Sequence, residues 1–266
     1  MSLLLVHWTK SWEVVRAAEG DASIPRWLGG ETAMPRWKVQ LLGNTESIEC
    51  AREALPEDYR IVSDDSGHHL QGQPLEQLGS SEEVGKMAAS LVKLLNAAIA
   101  HSCGRSELRL NMIREFDAAG NRLSSIAYAE SNVVLNLSVT AQADGPSPRS
   151  AKLLLRQLRR DPDVLDAYEH LQEDAYELEK ACEVIRCNVQ DNSGQGFLDV
   201  AISNLWTTEA EYERFRGSIN SPEVLGKNAR HARSGQAPPN DPMTLAKALA
   251  YARRLFDCWV EWLDSL

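Results

Sequence analysis

The sequence is poor in the signatures that announce a chemistry. It has no Gly-x-Gly-x-x-Gly turn, no Walker-type phosphate loop, no His-Glu-x-x-His helix and no Gly-x-Ser-x-Gly elbow. Dinucleotide, P-loop, zincin and α/β-hydrolase readings therefore lose their anchor, and no cofactor is expected. Cysteine is scarce and odd in number, five residues with no Cys-x-x-Cys pair. That excludes a disulfide framework and speaks against zinc, so the thiols read as reduced core or surface groups in a cytoplasmic protein. Cys182 and Cys187 share one expected helix but fall on different faces of it. Long apolar runs are also missing. The opening MSLLLVHW is too short for a membrane span and has no basic flank, so neither a membrane partner nor a signal peptide is expected. Basic residues are in deficit, 28 Lys and Arg against 38 Asp and Glu, a formal net charge of −10. Such a chain repels polyanions at long range, so a nucleic-acid contact requires a local basic patch.

What is present is an ordinary globular composition, 43% hydrophobic and 25% charged, long enough for a core without staples. The pattern changes along the chain. Leu3–His7, Trp37–Leu42, Tyr59–Val62 and His68–Leu70 read as strands. A helix capped by Ser80 or Ser81 runs to about Ala100, with Val84, Met87, Leu91, Leu94 and Leu95 on one face. Two longer strands follow, Ser106–Phe116 and Ser124–Ala141, joined by the hairpin loop Asp117–Asn121. Asp144-Gly145-Pro146-Ser147-Pro148 breaks the composition and predicts a boundary between residues 1–144 and 145–266. Beyond it the pattern is helical. The fold class is α+β, a mostly antiparallel sheet with a packed helix followed by a helical bundle.

Two stripes carry the bundle. Val164, Tyr168, Leu171, Ala175, Leu178, Cys182 and Ile185 step by four and three, which predicts one long helix from Asp161. Leu245, Leu249, Ala252, Phe256, Trp259 and Leu263 repeat the stepping in a final helix. The stripes either pair within one chain or pair with a second copy in a homodimer. Shorter helices are expected at Phe197–Leu205 and after Thr207 or Thr208, followed by a polar, loop-like stretch from Ser218 to Asp241.

That stretch holds the candidate site. Arg214, Arg216, Lys227, Arg230 and Arg233 cluster in an otherwise acidic chain, with Asn228 and His231 among them. Guanidinium groups can hold a phosphate, and an imidazole titrates near neutrality and can move a proton. The catalytic pair expected here is Arg230 and His231, with Lys227, Asn228, Arg233, Arg214 and Arg216 binding phosphate. The competing reading is structural: the arginines pair with acids of a neighbouring helix, for which Glu177, Glu179 and Glu183 are available.

The strings Arg214-Phe215, Asn220-Ser221-Pro222, Gly226, Ala229-Arg230-His231, Pro238-Pro239, Pro242-Met243-Thr244-Leu245 and Trp259, in that order, resemble the C-terminus of a group of bacterial proteins, some encoded near methylamine-utilisation genes. More distantly, a His-containing loop, a Pro-rich spacer and a closing amphipathic helix resemble the end of HEPN-like helical domains. The resemblance covers roughly Leu165–Leu266. It implies a homodimer that engages RNA or a nucleotide, and, within that family, metal-independent ribonucleases of toxin–antitoxin and phage-defence systems. Their motif is an arginine, a short spacer and a histidine. In this chain positions 224–226, where that arginine would stand before His231, are Val224, Leu225 and Gly226. The alternative is a non-catalytic scaffold or regulator that meets a protein partner through the bundle.

Other residue groups carry weaker signals. Asp64, Asp65, His68 and His69 have metal-ligand chemistry, though a polar turn explains them and no metal site is expected. Arg149, Lys152, Arg156, Arg159 and Arg160 form a basic helix face. Trp8, Trp12, Trp27 and Trp37 are core aromatics or the wall of a small-ligand pocket.

Overall fold

The computed structural model describes residues 35–104, 106–128, 148–171, 174–230 and 237–266. The expected strand at Leu3–His7, the residues Trp8, Trp12 and Trp27, and residues 129–141 of the expected strand Ser124–Ala141 lie outside them. The chain divides into two compact units, Met1–Asn136 and Leu137–Leu266. The first is an antiparallel sheet with helices and the second is helical, an α+β arrangement.

In the first unit, β1 (Trp37–Leu42), β2 (Tyr59–Asp64), β3 (Gly67–Gly72), β4 (Arg109–Phe116) and β5 (Arg122–Ala127) form one sheet in the order β2-β3-β1-β4-β5. Every described pairing is antiparallel. Alternation places Trp37, Val39 and Leu41 on one face, level with Leu70, Leu110 and Ile113, and all six are buried. Helices α1 (Thr45–Ala54) and α3 (Ser81–Cys103) cover this face, α3 lying along β4. A single turn, α2 (Gln73–Glu76), leads into α3.

The sequence pattern does not announce α1. Its inward stripe is one isoleucine and two alanines, Ile48, Ala51 and Ala54, which is faint beside the strands around it. The start signal is there in Asn44, whose side-chain oxygen accepts a hydrogen bond from the Ser47 amide at 2.7 Å. Helix α3 begins with a full capping box: Ser80 Oγ accepts from the Glu83 amide, and the Glu83 carboxylate accepts from the Ser80 amide at 3.1 Å. It ends on Gly104 in the left-handed region, φ 88°.

The second unit contains α4 (Pro148–Arg160), α5 (Pro162–Glu169), α6 (Ala175–Ser193), α7 (Phe197–Ser203), α8 (Glu209–Asn220), the single turn α9 (Pro222–Leu225), a short 3-10 turn (Gly226–Asn228) and α10 (Leu245–Ser265). The long helix expected from Asp161 is two helices. The stripe continues across the break, since Leu171 and Ala175 are both buried, so periodicity alone gives no sign of it. The Asp174 carboxylate supplies the signal: it accepts from the amides of Tyr176 (2.9 Å) and Glu177 (3.1 Å) and starts a new helix.

Both stripes are buried within this unit, where α6 and α10 pack together. Tyr168, Phe256 and Trp259 form one aromatic run, with ring centroids 6.1 and 5.8 Å apart. A buried amide joins the elements. Asn188 Oδ1 accepts from Trp259 Nε1 at 3.1 Å, and its Nδ2 donates to Asp161 Oδ2 and Asp163 Oδ2, each at 2.9 Å.

Helix α7 closes with a Schellman turn in which the Trp206 amide donates to Ala201 O at 2.8 Å and the Leu205 amide to Ile202 O at 3.1 Å. The left-handed position is filled by Leu205, φ 62°, whose side chain is 90% exposed.

No helix among the described residues is long and apolar enough to cross a membrane.

Candidate functional site

The expected loop from Ser218 begins later than its polarity suggests. Helix α8 runs to Asn220 and is stopped by Pro222, which cannot donate within a continuing helix. Its Thr208 cap accepts from the Glu211 amide. The chain then turns back: the Arg230 amide donates to Ile219 O at 2.9 Å, which places Arg230 beside the end of α8. Ser218, fully buried, accepts from the Met243 amide at 2.8 Å and donates to Arg214 O at 2.7 Å, fixing the approach to α10.

An open groove of about 440 Å³ runs along α8. Ala210, Glu213, Arg214, Gly217 and Asn220 recur at helical spacing to make one wall, with Arg216 beside them, and Ala237 and Pro239 make the other. The walls approach closely at Gly217, where a Cβ would stand 3.3 Å from Pro239 Cδ.

The arginines differ in how far they are engaged. Arg214 holds the second wall in place, with Nη2 2.7 Å from Asp241 Oδ2 and Nε donating to the Asp241 carbonyl. Arg230 Nη1 is 3.3 Å from Glu179 Oε1, and Arg186 Nη2 is 3.7 Å from the same oxygen. Glu179 is a buried carboxylate on α6, its side chain 4% exposed. Arg216 is the least committed. Its nearest carboxylate among the described residues, Glu213, is 4.0 Å away, and its guanidinium lies 5.8 Å from the Tyr212 ring centroid. Burial raises the Tyr212 phenol above its usual range, with Arg186 and Arg216 pulling the other way.

Four buried polar atoms in these two helices have no hydrogen-bond partner among the described residues: Glu179 Oε2, Arg186 Nε, Arg216 Nε and Asn220 Oδ1. Buried polar atoms in native proteins are paired with protein or water, and an orphan costs about 1–3 kcal/mol. Their concentration on α6 and α8 marks this as a place with unmet hydrogen-bonding capacity. Around it four guanidinium groups, Arg186, Arg214, Arg216 and Arg230, meet three carboxylates, Glu179, Glu213 and Asp241.

No family profile, curated protein or solved structure matches the chain.

Arg214 and Arg216 line the groove, and Arg230, which is not among its lining residues, is paired with Glu179. Lys227 and Asn228 are exposed on the 3-10 turn. His231 and Arg233 lie outside the described residues. Arg186 and Tyr212 belong to the cluster although the sequence singles out neither. The available signal for Arg186 was its position two turns after Glu179 on the same helix, a spacing that returns to one face. Asn220 stood in the polar run without a role; its place as the last residue of α8 gives it one.

Several of the remaining candidates are engaged with their neighbours. The β2–β3 turn spends its polar groups on itself: the Asp64 carboxylate accepts from Ser66 N (2.8 Å) and Oγ (2.6 Å), and His69 Nε2 is 3.1 Å from Asp64 Oδ1 and 2.8 Å from Ser66 Oγ. Hydrogen bonds from Ser66 and the Lys38 ammonium hold Asp64 below the ordinary carboxylate range, while burial pushes His69 down. Among the described residues no three His, Cys, Asp or Glu side chains converge as a metal would require. On α4, Arg156 pairs with Asp264 at 2.6 Å, and Lys152 and Arg160 are exposed. Trp37 is buried, its Nε1 donating to Leu78 O.

Proposed function

We propose that the protein engages a phosphate-bearing ligand, an RNA segment or a nucleotide, in the groove along α8. The observation that carries this reading is Arg216: a guanidinium on the groove, its side chain 39% exposed, with no carboxylate of the described residues nearer than 4.0 Å. Phosphate oxygens satisfy such a donor with a charge-assisted bond, and Asn220 stands beside it to fix orientation. The local surplus of positive charge supplies what a chain of net charge −10 otherwise withholds. The resemblance of this region to HEPN-like helical domains points the same way, toward RNA and toward defence or toxin biology. The reading favours binding over cleavage, because Arg230 is already paired with the buried Glu179.

The test is fluorescence polarisation with labelled single-stranded RNA and, separately, with a nucleoside triphosphate. Arg216→Ala should weaken binding about tenfold or more, equivalent to the ~1.4 kcal/mol of a charge-assisted bond. Equal affinity in the two proteins, or no binding at low salt, ends the proposal. Incubation with total RNA in EDTA decides cleavage; unchanged RNA profiles exclude a ribonuclease.

A second reading, a non-catalytic module that assembles as a homodimer or on a protein partner, has its support elsewhere. Because both apolar stripes are buried within the unit, its contact surface would be the exposed Ile202 and Leu205 at the end of α7. Light scattering that returns a monomer at high concentration removes the homodimer.

A further inference from the structure

Cys50 lies on α1 and Cys103 is the last residue of α3. They are 53 residues apart in sequence, both half-buried, and their Sγ atoms are 3.3 Å apart, in thiol–thiol hydrogen-bond contact. The contact follows from the packing of α1 against α3 on the covered face of the sheet. The other three cysteines, Cys182, Cys187 and Cys258, belong to the helical unit.

We propose that Cys50 and Cys103 form an oxidation site, a dithiol that a peroxide converts into an intramolecular disulfide tying α1 to the C-terminal end of α3. Two sulfurs already in contact need only a small approach to bond, and half-burial leaves a small oxidant access while keeping larger disulfides away. The two thiols have different parts. Burial, the neighbouring Cys50 thiol and the charges of Glu46 and Glu53 push the Cys103 thiol up to about 12. A raised thiol is the poorer nucleophile at neutral pH, which gives Cys103 the resolving part and leaves the first attack to Cys50.

The Cys50 thiolate attacks one oxygen of hydrogen peroxide. The O–O bond breaks, the departing hydroxide takes up the proton that Cys50 gave away, and Cys50 becomes a sulfenic acid. Cys103 Sγ then attacks the Cys50 sulfur. The S–O bond breaks, and the hydroxyl leaves as water with the Cys103 proton. In sum two thiols and one peroxide give one disulfide and two waters, the thiols being oxidised and the peroxide reduced.

The experiment treats the reduced full-length protein with a small molar excess of hydrogen peroxide, quenches it, and records intact mass and a non-reducing peptide map. The expected result is a loss of two hydrogens, a cross-linked peptide pair containing Cys50 and Cys103, a raised melting midpoint, and reversal of all three by dithiothreitol. In Cys103→Ser the reaction should stop at Cys50, which then labels with a sulfenic-acid probe. Five free thiols after treatment, or a cross-link that maps to any other pair, overturns the proposal. The wild-type map stands even where the variant does not fold, and the result is independent of the groove along α8.

Discussion

At the scale of single residues, the sharpest expectations concern side chains whose environment contradicts their type. Leu205 occupies a backbone position that favours glycine and buries nothing. Leu205→Gly relieves about 1–2 kcal/mol of left-handed strain and gives back about 0.5–1 in backbone entropy. A net gain of roughly 0.5–1 kcal/mol should appear in a urea melt; a loss would mean that Leu205 makes a contact absent from the folded monomer. Asn188 presents the opposite case, a polar residue in the core with its hydrogen bonds made. Asn188→Leu leaves the Trp259 indole N–H and two aspartates without their partner and should cost about 2–3 kcal/mol. His69 predicts a pH effect. Burial depresses its folded pKa below the ordinary 6.5, with Lys38 and Arg114 reinforcing and Asp64 opposing. The unfolded state then binds the proton first, so stability present above pH 6.5 is lost as pH falls toward the folded value. His69→Gln should flatten that slope, read as melting midpoint against pH between 7 and 5.

At the scale of elements, the caps decide where helices start and stop. Removing the reciprocal bonds at the start of α3 with Ser80→Ala should lower stability by about 1 kcal/mol, measured by chemical denaturation. Caps also explain what could be read in advance. The strands at Trp37–Leu42 and Tyr59–Val62, helix α3 and helix α10 were legible because their apolar spacing is strong and Ser80 and turn residues mark their ends. Helix α1 was not, because alanines bury little and leave a weak stripe. The division of α5 from α6 was hidden for the reverse reason: buried residues on both sides of the break keep the stepping intact, and only Asp174 betrays it. The basic cluster was legible as charge, but its sorting was not. Which arginine meets Glu179, which meets Asp241 and which is left over is a matter of three-dimensional pairing between α6, α8 and the segment before α10.

At the scale of the whole molecule, the two compact units differ in what builds them. The helical unit holds its own aromatic core and its own capped helices, so residues 137–266 produced alone should give a helical circular-dichroism spectrum and a cooperative thermal transition. A non-cooperative melt would show that its core is incomplete without the first unit. The bond between Trp259 and Asn188 has a further consequence for how the protein is made. It spans 71 residues, and the rings it anchors lie on the last helix of the unit. During synthesis α4 through α8 leave the ribosome with an apolar side still open, and that side closes only when α10 arrives. The nascent helical unit is therefore exposed to chaperones and to self-association for longer than the sheet unit, whose strands β1 to β5 have all emerged by Ala127.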